Sequence, residues 1–269
     1  MNYFNNYIIA IPTYKRHDIL QTHTLETLLK NNIPSSKIYL FVANKTEYQI
    51  YKSNILDTKY HKIIIGKKGL KNQRNFITNY FPEEQPIVQL DDDIKEISEL
   101  YQVKSTITKT KQKRHYRLKP IHNLDEFIKS AFKYCYENKA YLWGIYPVAN
   151  PYFMTPTIST DLKFIVGPMW GVFNRHDKDL KATIDEKENV ERSIRYFIKD
   201  NKVIRFNNIT IKTRYYKTPG GMQSEKKNRK EEAMKSAIYL VNKYPQYAKL
   251  HLTKKSGHPE VKLINPTKK

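Results

Sequence analysis

The chain has 269 residues, and its 48 Lys and Arg against 26 Asp and Glu give a formal net charge of +22. A hydrophobic share of 39% with 13% aromatics suffices for one packed domain and argues against disorder, while the single Cys135 excludes both a disulfide framework and a Cys-rich zinc site. The surplus of positive charge points to a polyanionic partner, nucleic acid first and an anionic membrane surface second, with an AT-rich genome as the competing source of the lysines.

The first hundred residues alternate strand and helix. Residues 7–11 are a short apolar run before Pro12 and read as a buried strand. A helix is expected over 18–29 with Asp18 as its N-cap, then a strand over 37–42, a helix over 46–56 and a strand over 63–65. Residues 69–80 read as a helix and 86–90 as a fourth strand. Repeated βα units of this kind imply a parallel sheet with right-handed crossovers. The second half is less regular. Helical spacing of Leu124, Phe127, Ile128, Ala131, Phe132 and Cys135 marks a helix, with strands expected over 141–146, 163–166 and 171–174. A helix over about 190–198, two short strands over 203–206 and 209–211, and an amphipathic helix from Ala233 to Val241 complete the pattern. No repeat or linker divides the chain, so residues 1–269 are expected to form a single catalytic domain, with 1–100 binding the donor and 101–269 binding the acceptor. The first residues carry no charged leader, and no stretch approaches the length of a membrane span, so the expected location is cytoplasmic, or the host cytoplasm for a viral or phage protein.

Three motifs fall at the ends of the early strands. Val88-Gln89-Leu90-Asp91-Asp92-Asp93-Ile94 sets three carboxylates just past a hydrophobic strand. Open parallel sheets hold ligands at that edge, and adjacent carboxylates need a neutralising charge. Mg²⁺ or Mn²⁺ shared with a substrate's phosphates supplies it, and a solvated acidic turn is the plainer alternative. Upstream, Gly66-Lys67-Lys68-Gly69-Leu70-Lys71-Asn72-Gln73-Arg74-Asn75 leads a glycine loop into a helix carrying an Arg that can grip phosphate. Ile11-Pro12-Thr13-Tyr14-Lys15-Arg16 closes the first strand and would point polar groups into the same crevice; taken alone it reads as an ordinary βα loop.

In order and spacing these three resemble the GT-A glycosyltransferases. That resemblance implies an α/β fold with a Rossmann-like, mostly parallel sheet flanked by helices. It implies a metal held by Asp91 and Asp93, and a nucleotide sugar contacted by Pro12, Thr13, Tyr14, Arg16, Gly69, Arg74, Asn75 and Asp92. The second half more loosely resembles the TET/JBP-associated DNA glycosyltransferases, through Trp143-Gly144-Ile145-Tyr146-Pro147-Val148, Asn150-Pro151, Phe164-Ile165-Val166-Gly167, Glu188-Asn189-Val190-Glu191-Arg192-Ser193 and Gly220-Gly221-Met222. This second resemblance implies transfer of a hexose, glucose above all, from a UDP-sugar to hydroxymethylated pyrimidines in DNA. Gly220 and Gly221 allow a loop to close over a diphosphate, or form a plain turn.

One departure concerns the catalytic base. The family's Glu-Asp pair becomes Glu188-Asn189 here, so Glu188 is the expected base, with Glu191 second and Asp185 nearby; all three could instead complement the helix dipole. The acid-free run 104–119 carries Lys104, Lys109, Lys111, Lys113, Arg114, Arg117 and Lys119 with Tyr116, about one helix beyond the metal motif. It suits backbone contact and base stacking on DNA, or is a solvated loop. Two other functions stay open: a cytosolic glycosyltransferase acting on a glycan or protein, and a DNA-binding module that keeps the fold without catalysis.

Overall fold

A computed structural model of the chain describes residues 3–103, 115–213, 220–221, 229–251 and 259–266. The expected alternation is present: β1 (Ile8–Pro12), α1 (His17–Leu20), α2 (Glu26–Lys30), β2 (Ile38–Val42), α3 (Lys45–Asn54), β3 (Lys62–Ile65), α4 (Leu70–Tyr80) and β4 (Pro86–Leu90). Then follow β5 (Ile94–Val103), β6 (His115–Pro120), α5 (Leu124–Glu137), β7 (Leu142–Tyr146), β8 (Ile158–Ser159), β9 (Met169–Phe173), α6 (Glu188–Asp200) and β10 (Ile204–Thr213). The last elements are α7 (Arg229–Lys243), β11 (Ala248–His251) and β12 (Glu260–Leu263).

One ten-stranded sheet runs β3-β2-β1-β4-β9-β7-β10-β5-β6, with β8 on β10, and so takes strands from both halves of the chain. The ladders from β3 to β4 are parallel, and so is that of β7 with β10. β9, β5 and β8 run against their neighbours, which leaves seven of the ten strands pointing one way. Period-2 alternation divides the side chains between two layers. Ile9, Ile11, Leu40, Val88, Leu90 and Trp143 face one core with Leu20, Leu28, Tyr51 and Phe132 of the helices. Ala10, Phe41, Ile87, Leu142, Trp170 and Val172 face the other, with Ile77 of α4 and Tyr196 of α6. Burial on both faces is why these strands read as continuous apolar runs. Beyond α6, a smaller cluster joins Val190 and Ile194 to Leu240 of α7 and Ala248 of β11.

The structure corrects several sequence expectations. The N-cap of α1 is Arg16, without a side-chain cap bond, and Asp18 sits inside the first turn. A π-helical segment, Gln21–Leu25, separates α1 from α2. Residues 163–166 are not a strand: Ile165 N bonds Ser193 Oγ at 3.0 Å, so the segment docks on α6 instead of joining a ladder. The two short strands after residue 203 are one strand, β10, whose ladder with β7 shifts register between Phe206 and Thr210. The acidic motif leads into the strand β5, not a helix, because residues 94–103 are held between β10 and β6.

Candidate functional site

The three aspartates follow β4 at the carboxyl edge of the parallel strands, in a turn held by its backbone. Asp91 N donates to Pro168 O at 3.0 Å, just before the start of β9. Thr24 Oγ1 donates to Asp91 O (2.8 Å) and accepts from Ile94 N (3.0 Å). Thr24 lies in the π-helical segment, an irregularity common near functional sites, and Thr27 continues the clamp with bonds to Ile94 O and Lys95 O.

Each carboxylate then meets a different environment. Asp92 is buried, and both its oxygens are engaged: Thr13 Oγ1 donates to one at 2.8 Å and Arg16 Nη1 to the other at 3.0 Å. An ionised carboxylate only accepts, so Thr13 spends its hydrogen there and must accept from Tyr51 Oη at 2.7 Å; Tyr51 Oη in turn accepts from Arg16 N. Asp91 is the more open of the three and pairs with Arg74 Nη2 at 2.9 Å. Asp93 is buried with Arg16 Nη1 at 3.7 Å, beyond hydrogen-bond reach. Burial, with Asp91 and Asp92 adding repulsion, pushes the Asp93 carboxyl up to about 7. Asp92 is also raised, by burial against the opposing pull of Arg16 and Thr13. Asp91 and Asp93 therefore fit a divalent cation, since that cation would relieve the repulsion. Among the described residues no group of three or more His, Cys, Asp or Glu could hold a metal, and Mg²⁺ in general completes its shell with substrate phosphate and water.

Arg74 is buried on α4 and bridges Gln89 Oε1 (2.7 Å) to Asp91. Asn75 donates to Ala182 O and accepts from Ala182 N, both at 2.9 Å. Pro12 is the last residue of β1 and pairs with Phe41 of β2. The ammonium groups of Lys15 and Lys68 lie 5.1 and 5.6 Å from the centre of the Tyr14 ring, which joins the 66–69 loop to the end of β1. Gly69 caps α4 at φ +91°, while Gly220 and Gly221 have φ of +82° and +90°. A Cβ on Gly220 would lie 2.5 Å from Lys15 O, and Gly221 N bonds Tyr14 O at 2.8 Å, so the glycine pair passes directly over Tyr14-Lys15-Arg16.

The three base candidates separate. Asp185 accepts from Lys71 N at 2.8 Å and so caps the first turn of α4. Glu191 is fully buried and bound by Thr183 N (2.8 Å), Thr183 Oγ1 (2.5 Å) and Arg195 (2.9 Å). Glu188 opens α6, pairs through Oε2 with Arg192 Nη1 at 2.6 Å, and has Oε1 3.9 Å from where a Gly167 Cβ would stand. Gly167 precedes Pro168, the residue that anchors Asp91, so Glu188 is the candidate next to the metal motif.

The basic run is described only in part. Lys109, Lys111, Lys113 and Arg114 lie outside the described residues, as do Lys104 and Met222. Arg117 and Lys119 stand on β6, opposite Tyr101 and Glu99, and Lys119 is paired with Glu99 at 2.9 Å. Several contributors escaped the sequence reading. Glu47 holds Lys15 N at 2.7 Å, and Gln73 ties Lys67 N to the end of β2. Arg192 stacks on Trp170 at 3.8 Å. Gln89 carried a signal: a polar residue inside a buried apolar run requires a partner.

No family model matches the chain, and no curated protein matches it in sequence. Its fold matches solved structures. The UDP complex of Staphylococcus aureus TarS residues 1–349 superposes with a TM-score of 0.51 at 14% identity, covering 88% of this chain and 66% of that one. The chain spans 40% of the longer TarS structure. Glucosyl-3-phosphoglycerate synthase of Mycobacterium tuberculosis, solved with Mn²⁺ and UDP, covers 97% of this chain at 7% identity, and its TM-score of 0.46 is too low to add weight. The shared architecture is an α/β fold with a mostly parallel sheet flanked by helices. Among the described residues no helix is long and apolar enough to cross a membrane.

Proposed function

We propose that the chain is a glycosyltransferase that moves a hexose from a UDP-sugar, with Mn²⁺ or Mg²⁺ held between Asp91, Asp93 and the donor diphosphate. The observation that carries this reading is the aspartate turn: Asp92 is committed to Thr13 and Arg16, while Asp93 is buried and raised to about 7 beside Asp91. When bound, the metal would neutralise the diphosphate and the charge left on it as the sugar departs. UDP bound to TarS, whose fold is similar, is in keeping with it.

The chain's own residues supply the remainder. Arg74 orients Asp91, and Thr13 with Arg16 fixes Asp92 against the donor. Tyr14 is buried and holds the glycine loop by accepting from Gly221 N, and the Gly220-Gly221 backbone lets that loop approach the diphosphate. Glu188 takes the proton from the acceptor hydroxyl as its oxygen bonds the anomeric carbon and the bond to phosphate breaks, which inverts that carbon. Asp185, Glu191 and Asn75 hold the walls of the site.

The acceptor in this reading is a hydroxymethylated pyrimidine in DNA. Its support is the net charge of +22 and the acid-free basic run that ends on β6 with Arg117 and Lys119. The test is a panel of nucleotide sugars incubated with hydroxymethylated and unmodified duplexes, read by nucleoside mass spectrometry. A hexose on the hydroxymethyl base is expected. Transfer to a glycan or protein with none to DNA would replace the acceptor and keep the enzyme. DNA binding without any donor consumption would reduce the chain to a binding module.

A further inference from the structure

Behind the aspartate turn, a small cavity partly open to solvent lies between α4, α6 and the sheet, with Arg74, Gln89, Trp170, Glu188 and Arg192 in its wall. Among the described residues nine buried side-chain nitrogen and oxygen atoms lack a hydrogen-bond partner, and four belong to residues of this wall: Arg74 Nε, Arg192 Nε, Arg192 Nη2 and Trp170 Nε1. All four carry hydrogen. Arg74, Trp170 and Arg192 are at least nine-tenths buried, with 4%, 5% and 7% exposure.

The pattern within Arg192 is specific. Its Nη1 is spent on Glu188 at 2.6 Å. What remains is the side-on edge, Nε with Nη2, whose parallel N–H bonds match two oxygens of a carboxylate, phosphate or sulfate. The Trp170 ring holds that edge in place from 3.8 Å, and the Arg74 guanidinium lies 5.6 Å from the same ring. Burial above all, opposed by Glu188 and aided by Arg74, lowers the Arg192 guanidinium to about 10. Each guanidinium of the wall has a carboxylate partner, Arg192 with Glu188, Arg74 with Asp91 and Arg195 with Glu191, so what the cavity leaves unmet is hydrogen bonding. Buried donors cost free energy when unpaired, and donors alone select an occupant that only accepts.

We propose that this cavity binds a small oxyanion, gripped by the side-on edge of Arg192 with Arg74 Nε and the Trp170 indole N–H. The site does not depend on the transfer reaction proposed above. The anion comes either from solution or from a substrate's own phosphate or carboxylate.

The test uses the full chain in chelator. Sulfate, phosphate and selenate are compared with chloride at equal ionic strength by thermal unfolding. Saturating oxyanion should raise the wild-type midpoint by roughly 2–4 °C over chloride. Trp170→Phe keeps the ring and removes one donor, so it should reduce that shift. Arg192→Lys keeps the charge and removes the fork, so it should abolish it. Crystals soaked in selenate should show an anomalous peak between Arg74 and Arg192. Adding UDP with Mn²⁺ identifies the source: additive stabilisation means a free anion, and competition means that the nucleotide's phosphate occupies the site. Ordered water alone in the cavity at saturating selenate overturns the proposal, as does an equal shift in wild type and Trp170→Phe with no peak. The soak and Trp170→Phe decide the matter even if Arg192→Lys does not fold.

Discussion

Replacing Asp93 by Asn should stabilise the metal-free protein while destroying its use of metal. In the fold the Asp93 carboxyl keeps its proton to about 7, whereas its ordinary value is 3.8. Between those values the native state holds more protons than the unfolded state, so stability falls as pH rises, and the penalty is complete above about pH 7. The full shift corresponds to about 4 kcal/mol, which solvent screening at the rim of the turn reduces to roughly 2–4 kcal/mol. Asp93→Asn carries no such penalty. In chelator its advantage over wild type should be largest at pH 8, about half as large near pH 5.5, and gone below pH 4. Urea titration at pH 8 and pH 5.5 measures it, with an unchanged m-value showing that the comparison concerns stability alone. Mn²⁺ should raise the midpoint of wild type and leave the variant where it was. An Asp93→Asn variant no more stable than wild type at pH 8, or an advantage independent of pH, would refute the reasoning.

Three further outcomes follow from the same geometry. Glu188→Gln should lower kcat by about 10²–10⁴-fold with little change in donor KM, measured by steady-state transfer, while Asp185→Asn should act through stability, because Asp185 caps α4. Arg74→Met leaves Gln89 Oε1 and Asp91 without their donor, so urea titration should show a loss of about 1–3 kcal/mol and Mn²⁺ titration a weaker metal site. Gly220→Ala, strained at φ +82° and pressed against Lys15 O, should raise the KM for the nucleotide sugar more than it lowers kcat.

Much of the architecture was legible because the parallel strands are buried on both faces and interrupted by Pro, Gly and Asp at their ends. Ile8–Pro12, Ile38–Val42 and Pro86–Leu90 emerge as apolar runs for that reason. The second half was harder. Ile165 and Val166 are buried without entering a ladder, so burial alone imitated a strand, and the register shift within β10 broke one strand into two apparent pieces. At the site, the position of the aspartate turn could be read, but the division of labour within it could not. Which carboxylate is tied depends on Thr13, Arg16 and Tyr51, brought in from elements up to 79 residues away. The resemblance assigns Arg74 and Asn75 to the donor as a pair, but one position along a helix turns a side chain by about 100°, and the Asn75 amide meets Ala182. Arg192 sits one turn after Glu188, the spacing of a helical ion pair, and its stacking on Trp170 needed the sheet register to appear.

The most direct measurement of the central claim is nucleotide release from UDP-sugars by the purified chain, without acceptor, in Mn²⁺ and in chelator. Release of UDP that requires the metal, and that is lost in both Asp91→Asn and Asp93→Asn while each variant remains folded, is the predicted result. Release that persists in chelator or in both variants, or no binding of UDP in the presence of Mn²⁺, would contradict the assignment of this turn as a metal-dependent donor site.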